Sequence, residues 1–174
     1  MSNVKGPDGA QERDQAFEEL VAEHQTMLLR TCFLYLGDRA LAEDAVQETF
    51  LKAYRSMDAF RGESSRRTWL MKIAMNTCRD LYRSGWFRWT DRRYTPDMLP
   101  ETAAPVAEED SELLLAVMHL PRKLREVTLL HYYQGMSTVE IADSLHIAQS
   151  SVSGRLKRAR EKLRAALEGS EPHA

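Results

Sequence analysis

The chain has 174 residues, 43% of them hydrophobic and 29% charged, with a formal net charge of −2. That length holds one domain or two small ones of ordinary globular composition, and the near-neutral charge argues against a generic nucleic-acid coat protein. No stretch approaches the roughly 20 apolar residues of a membrane span, and the polar start MSNVKGPDGAQERD has no signal-peptide core, so the chain is expected in the cytoplasm without membrane insertion.

Residues 1–13 read as a disordered tail. Phe17, Leu20, Val21, His24, Met27, Leu28, Thr31, Leu34 and Tyr35 then form one face of a helix broken at Gly37, with His24 expected as a satisfied core histidine. A second helix, from about Ala40 to Met57, buries Val46, Phe50, Ala53, Tyr54 and Met57. Spacings of three, four and seven set Asp44, Gln47, Glu48 and Leu51 side by side on another face. Paired acids on a helix can do acid–base work, but no nucleophile, histidine or metal ligand completes a site, so no catalytic residue is assigned.

After Gly62 a third helix starts, capped by Ser64 or Ser65. It buries Trp69, Leu70, Ile73, Ala74, Thr77 and Leu81 and presents Lys72, Asn76, Asp80 and Arg83. Beyond it Tyr82, Trp86, Phe87, Trp89 and Tyr94 interleave with Arg83, Arg88, Arg92 and Arg93. Such a mixture suits either stacking on single-stranded nucleic acid or packing under the helix end. Cys32 and Cys78 sit in apolar helical patterns without metal-ligand spacing, so buried free thiols are expected and neither metal nor cofactor.

Charge is distributed in blocks. Acids outnumber bases from Asp14 to Asp58, bases outnumber acids from Ala59 to Arg93, and Tyr94 to Glu112 contains no base at all. Blocks of this kind face different partners. The segment TPDMLPETAAPVAEED, at roughly 95 to 110, reads as a linker too poor in apolar area to order itself.

The last third is the most specific. Ser137 and Glu140 form a capping box opening a helix with Ile141, Ala142 and Leu145 on its apolar side, and Gly135 closes the helix before it. After a break at His146 to Ala148, Val152, Leu156, Ala159 and Leu163 make a second stripe. Ser150, Ser151, Ser153, Gly154, Lys157 and Arg158 are left outward, with Arg155, Arg160, Lys162 and Arg164 on the flanks. A capped helix, a turn and a second helix with hydroxyls and cations is the pattern of a helix-turn-helix that reads duplex DNA. Gly154 costs about 1 kcal/mol in a helix relative to alanine, which close approach to a DNA backbone would explain. The fold expected is all-α: two small helical domains, residues 14–94 and 111–168, joined by the acidic linker 95–110, with a tail at 169–174.

Two longer segments carry a family resemblance. AEDAVQETFLKAYRSMDAFRGESSRRTWLMKIAMNTCRDLYR resembles region 2 of bacterial extracytoplasmic-function sigma factors of the sigma-70 family, and LPRKLREVTLLHYYQGMSTVEIADSLHIAQSSVSGRLKRAREKLR resembles their region 4. The resemblance implies an alternative sigma factor whose partners are core RNA polymerase, through the beta-prime clamp and the beta flap, and promoter DNA. It places clamp binding on Asp44, Gln47, Glu48 and Leu51. It places the minus-ten element on Phe60, Arg61, Gly62, Ser64, Ser65, Arg67, Lys72, Asn76, Asp80 and Arg83, where the loop FRGESS and Asn76 would hold an extruded non-template base. Ser150, Ser151, Ser153, Gly154, Arg155, Lys157 and Arg158 would read the minus-thirty-five element. Ser153 and Gly154 stand where many relatives have a larger or charged residue, so individual base contacts do not carry over. An anti-sigma factor is a further partner that the exposed faces would suit.

In the family the linker runs through the polymerase's nucleic-acid channel, and a base-free acidic stretch would be attracted to walls built for RNA phosphates. About 26 flexible residues span roughly 25 to 30 Å on average and up to about 90 Å extended. Promoter elements one and a half to two turns apart need roughly 50 to 70 Å, an extension the free protein has no reason to adopt. The rival reading is a one-component helix-turn-helix regulator, which would leave the acidic face and the Asn76 helix without a joint purpose. A site-specific recombinase would need a nucleophile or acidic triad in the first domain, and none is evident.

Overall fold

The computed structural model describes residues 7–84 and 108–169, and every regular element among them is helical. The first half is a three-helix unit. α1 (Pro7–Leu36) begins on a proline, which lacks only an N–H that a first helical turn leaves unpaired anyway. Residues 7–13, expected as part of a disordered tail, therefore belong to the helix. Arg13 explains why: Nη2 donates to the carbonyl of Tyr54 at 2.6 Å, the guanidinium stacks on the Tyr54 ring, and Nη1 pairs with Asp58 at 3.2 Å.

Gly37, at φ 68°, ends α1, and its N–H donates to the Phe33 carbonyl. Asp38 then caps α2 (Arg39–Ser56), its Oδ1 accepting from the Leu41 N–H at 3.0 Å. The chain reverses within two residues, so α1 and α2 lie against each other through Phe17, Phe50 and Tyr54. A 3₁₀ turn (Met57–Ala59) and the loop through Ser65 lead to α3 (Arg66–Arg83). Of the two serines offered as its cap, Ser65 does the work, accepting from the Thr68 N–H at 3.0 Å.

The second half opens with α4 (Glu108–His119), which starts inside the segment expected as linker. α5 (Arg122–Thr128) continues without a break into a π turn (Leu129–Tyr133), where the Gln134 N–H donates back five residues to Leu129. α6 (Thr138–Leu145) has the capping box in full: Ser137 Oγ accepts from the Glu140 N–H while the Glu140 carboxylate accepts from the Ser137 N–H. His146 closes α6 in the left-handed conformation at φ 53°, and α7 (Gln149–Glu168) follows. Ile141, Leu145, Val152 and Leu156 are buried between these two helices, and Leu120, Leu124 and Ala159 behind them.

The halves do not stand apart. One continuous buried cluster runs from Leu28, Cys32 and Met75 of the first half to Val117, Met118 and Leu130 of the second. Thr31 to Gly37 are buried on every side, and α3 buries Met71, Met75 and Cys78 as completely as Leu70 and Ala74. The stripe expected on α3 is only partly the buried one, because Trp69, Ile73 and Leu81 are half-exposed. A helix packed from two sides has no single apolar face to read. Cys32 and Cys78 are buried free thiols, and the hydrogen bond with the Cys32 thiol, followed by burial, pushes Cys78 up.

Candidate nucleic-acid and protein interfaces

On α2 the four residues of the acidic face, Asp44, Gln47, Glu48 and Leu51, are all exposed, while Ala42, Ala45, Val46, Thr49, Phe50 and Ala53 are buried behind them. Leu51 is 52% exposed, an apolar side chain standing among carboxylates. Beside it a shallow groove between α1 and α2 is lined by Phe17, Val21, Phe50 and Tyr54, with Asp14 and Glu18 at its edge. The periodicity of α2 alone did not reveal this groove. Its walls come from α1, whose register against α2 only the packing fixes.

The loop before α3 turns at Gly62, which takes φ 73° with open space where a side chain would sit. Arg61, Gly62, Ser64 and Ser65 are exposed, and Phe60 folds back so that its ring lies 4.9 Å from that of Trp69. Trp69, Lys72, Asn76, Asp80 and Arg83 follow at intervals of three and four, one row along α3. Phe60 therefore sets the loop at one end of the row, with Asn76 roughly 10 Å further along by the helix rise. Asp80 and Arg83 are exposed, and Asn76 is half-buried.

Two cations of this surface are already engaged. Lys72 Nζ donates to Asp143 Oδ2 of α6 at 2.8 Å, and this contact lowers the Asp143 carboxyl below its ordinary range. Arg67 donates to the Gln134 side-chain oxygen at 3.0 Å and to the Tyr133 carbonyl at 3.3 Å. Behind them Arg79 makes a two-pronged ion pair with Glu126, at 2.6 and 3.3 Å, with the Glu126 side chain only 3% exposed. Arg125 reaches the Tyr35 carbonyl at 2.8 Å, and Gln134 donates to Thr31 Oγ1 at 2.6 Å. Arg79, Glu126 and Gln134 carried no role in the sequence. A glutamate inside an apolar run was the one available sign, since a carboxylate is buried at tolerable cost only when paired.

α7 carries its outward set as expected. Ser150, Ser151, Ser153, Lys157 and Arg158 are exposed and Gly154 and Arg155 half-exposed, while Val152, Leu156 and Ala159 face inward. A Cβ added at Gly154 would meet nothing within 4 Å, so the protein's own packing does not demand the glycine. Arg158 Nε folds back to the Gly154 carbonyl at 3.3 Å, and Arg160 donates to Tyr132 Oη at 3.2 Å. Among the described residues no cluster of side chains could hold a metal ion, and no helix is long and apolar enough to cross a membrane. The aromatic and arginine segment from Trp86 to Tyr94 and most of the acidic linker lie outside the described residues.

Comparison with known proteins accounts for both halves. The family model of sigma-70 region 2 matches residues 20–88, and that of sigma-70 region 4 matches residues 110–163. The ECF RNA polymerase sigma factor SigL of Mycobacterium tuberculosis is 34% identical over 174 residues, covering 97% of each chain. SigW of Bacillus subtilis is 30% identical over 86% of this chain and 87% of its own. Among solved structures, CnrH in complex with the cytosolic domain of CnrY superposes with a TM-score of 0.67 at 31% identity, over 93% of this chain and 96% of that one. The sigma factor RpoE of Bartonella quintana, solved with the anti-sigma factor NepR, shares the fold at a TM-score of 0.70 and 21% identity, over 90% of this chain and 99% of that one. With both regions matched and their helices packed as in these relatives, the chain belongs to the extracytoplasmic-function sigma factors of the sigma-70 family.

Proposed function

We propose that this sigma factor works through three separate surfaces: the α2 face docks on the polymerase clamp, the loop and row of α3 take the melted minus-ten element, and α7 reads the minus-thirty-five element. The observation that carries this reading is the α2 face, where an exposed leucine, Leu51, lies one turn on from the exposed Gln47 and Glu48 in a row that also holds Asp44. Nucleic acid would be repelled there, whereas a protein partner can bury the leucine and pair the acids. The adjoining groove extends the docking surface to Phe17 and Val21 of α1.

For the minus-ten element, unstacking and extruding a base costs a few kcal/mol, which a binding site must offset before the duplex stays open. The Asn76 amide can donate to and accept from a base edge, and the Phe60 and Trp69 rings give the row an apolar end. On α7, Lys157 and Arg158 stand beside Ser153 to meet base edges, and Arg155 and Arg164 neutralise phosphates. The chain brings no chemistry of its own to transcription; polymerase catalyses, and the protein acts in the cytoplasm. An anti-sigma factor that covers these exposed faces completes the set of partners, in keeping with the RpoE and NepR complex.

With core polymerase present, Asn76→Ala should leave closed-complex binding nearly intact but reduce permanganate-detectable melting near the start site. Unchanged melting, both in Asn76→Ala and in a replacement of the loop from Glu63 to Ser65, would overturn the minus-ten assignment.

A further inference from the structure

Resting on the reading above for the partner at the α2 face, we propose that Arg13 is a positioning residue for polymerase recognition: it holds Tyr54, and with it one wall of the groove between α1 and α2, in the pose that receives an apolar side chain of the clamp. Tyr54 stands in the last turn of α2, half-buried, and lines that groove with Phe17, Val21, Phe50 and Leu51. A tyrosine at a helix end samples several rotamers unless something holds it. Here Arg13 Nη2 donates to the Tyr54 carbonyl, which the last turn of a helix leaves short of partners, and the guanidinium lies 4.5 Å over the ring. The Phe17 ring meets Tyr54 edge-on at 5.0 Å, and the Tyr54 hydroxyl donates to Asp14 Oδ1 at 2.7 Å. Asp58 Oδ2, 3.2 Å from Arg13 Nη1, fixes the guanidinium in turn.

The core does not call for these bonds. Arg13, Asp14 and Tyr54 lie outside the buried cluster, and Asp14 is exposed. What the bonds fix is a recess with an apolar lining and the carboxylates of Asp14 and Glu18 at its edge. Such a recess fits an apolar side chain flanked by lysine or arginine on the partner. It is continuous with the docking face, because Gln47 and Leu51 belong to both. A wall already in place costs nothing to order when the partner arrives, so the Arg13 contacts act on affinity through preorganisation.

The test is binding of the full-length protein to core polymerase, with binding to a minus-thirty-five duplex as the control. Arg13→Ala should weaken core binding about five- to tenfold through the lost preorganisation and leave duplex binding by α7 unchanged. Tyr54→Ala should weaken core binding at least as much. Adding Arg13→Ala to Tyr54→Ala should then have no further effect, because the wall that Arg13 positions is gone. Tyr54→Phe, which keeps the ring and gives up only the Asp14 bond, should fall between wild type and Arg13→Ala. Wild-type core affinity in Arg13→Ala, additive losses in the double variant, or an equal loss of duplex binding would overturn the assignment, the last two by making Arg13 a residue of stability alone. If instead Asp44→Arg with Glu48→Arg binds core at wild-type affinity, the α2 face is not the docking surface, and Arg13 has no clamp contact to serve.

Discussion

The acidic face of α2 and the basic row of α3 belong to the same three-helix unit, yet they stand in opposite states. On α2 the ion pairs seen are internal, Arg39 with Glu43 at 3.0 Å and Glu48 with Lys52 at 3.7 Å, and the face is open to solvent. On α3 the side chains of Arg67, Lys72 and Arg79 all end on groups of the other half. Helical spacing set Asp44, Gln47, Glu48 and Leu51 outward, as they are, and Asp80 and Arg83 likewise, but Lys72 and Asn76 of the same expected row are half-buried. It could not say what stands in front of them, and a residue that points outward is not thereby available.

The largest effect that would break this contrast is at Glu126. Replacing Glu126 with Ala leaves the mostly buried Arg79 cation without its carboxylate, and loss of one partner of such a pair costs about 3 to 5 kcal/mol. Urea unfolding should show that loss; a change under about 1 kcal/mol would mean that the halves do not depend on the pair. Next comes the open face. Asp44→Arg together with Glu48→Arg should weaken core polymerase binding by about 2 to 5 kcal/mol while leaving unfolding curves unchanged. Co-elution with core at wild-type affinity would remove α2 from the docking surface.

A smaller effect concerns α7, whose cations, unlike those of α3, stay on the outside. Arg158→Ala should cost about 1 to 3 kcal/mol at the preferred site and relax its sequence preference, as measured by competition between specific and scrambled duplexes. A uniform loss across sequences would make Arg158 a phosphate contact instead.

The smallest effect sharpens the comparison from inside. Tyr35 lies beneath the Arg79–Glu126 pair, and its hydroxyl is buried with no hydrogen-bond partner among the described residues. Tyr35→Phe should therefore be neutral or stabilising by up to about 1 kcal/mol. Burial first, and the Glu126 carboxylate second, push the Tyr35 phenol well above its ordinary value of 10.0. A pKa raised by folding favours the neutral phenol, so this contribution is present below pH 10 and is lost as pH rises beyond it. Wild type should lose more stability than Tyr35→Phe on going above that pH.

Much of this was legible because short-range chemistry marks it. Gly37, Gly135, Ser65 and the Ser137–Glu140 box end or start helices through bonds among residues within four positions of one another, so local sequence suffices to place them. The outward set of α7 followed from one clean stripe, because that helix is buried on one side only. What stayed hidden depends on partners distant in the chain. Met71, Met75 and Cys78 fall on a second buried face of α3 that exists only because α1 and the other half both press on it. Arg79 meets a carboxylate 47 residues away, which no spacing rule anticipates. Residues 7–13 were given to a tail because their composition is polar, but a single arginine reaching Tyr54 and Asp58 holds them.

The π turn at Leu129–Tyr133 carries a consequence of its own. One extra residue in a helical turn advances everything after it by about 100° around the axis. Ahead of the turn Arg125 and Glu126 meet the Tyr35 carbonyl and Arg79; at its end the Tyr133 carbonyl and the Gln134 side chain meet Arg67 and Thr31. The turn is thus a phase shift that lets two successive stretches of one helix both bear on the first half. Deleting a single residue there would rotate Gln134 away from Arg67 and Thr31 while leaving the Arg79–Glu126 pair ahead of the turn in place.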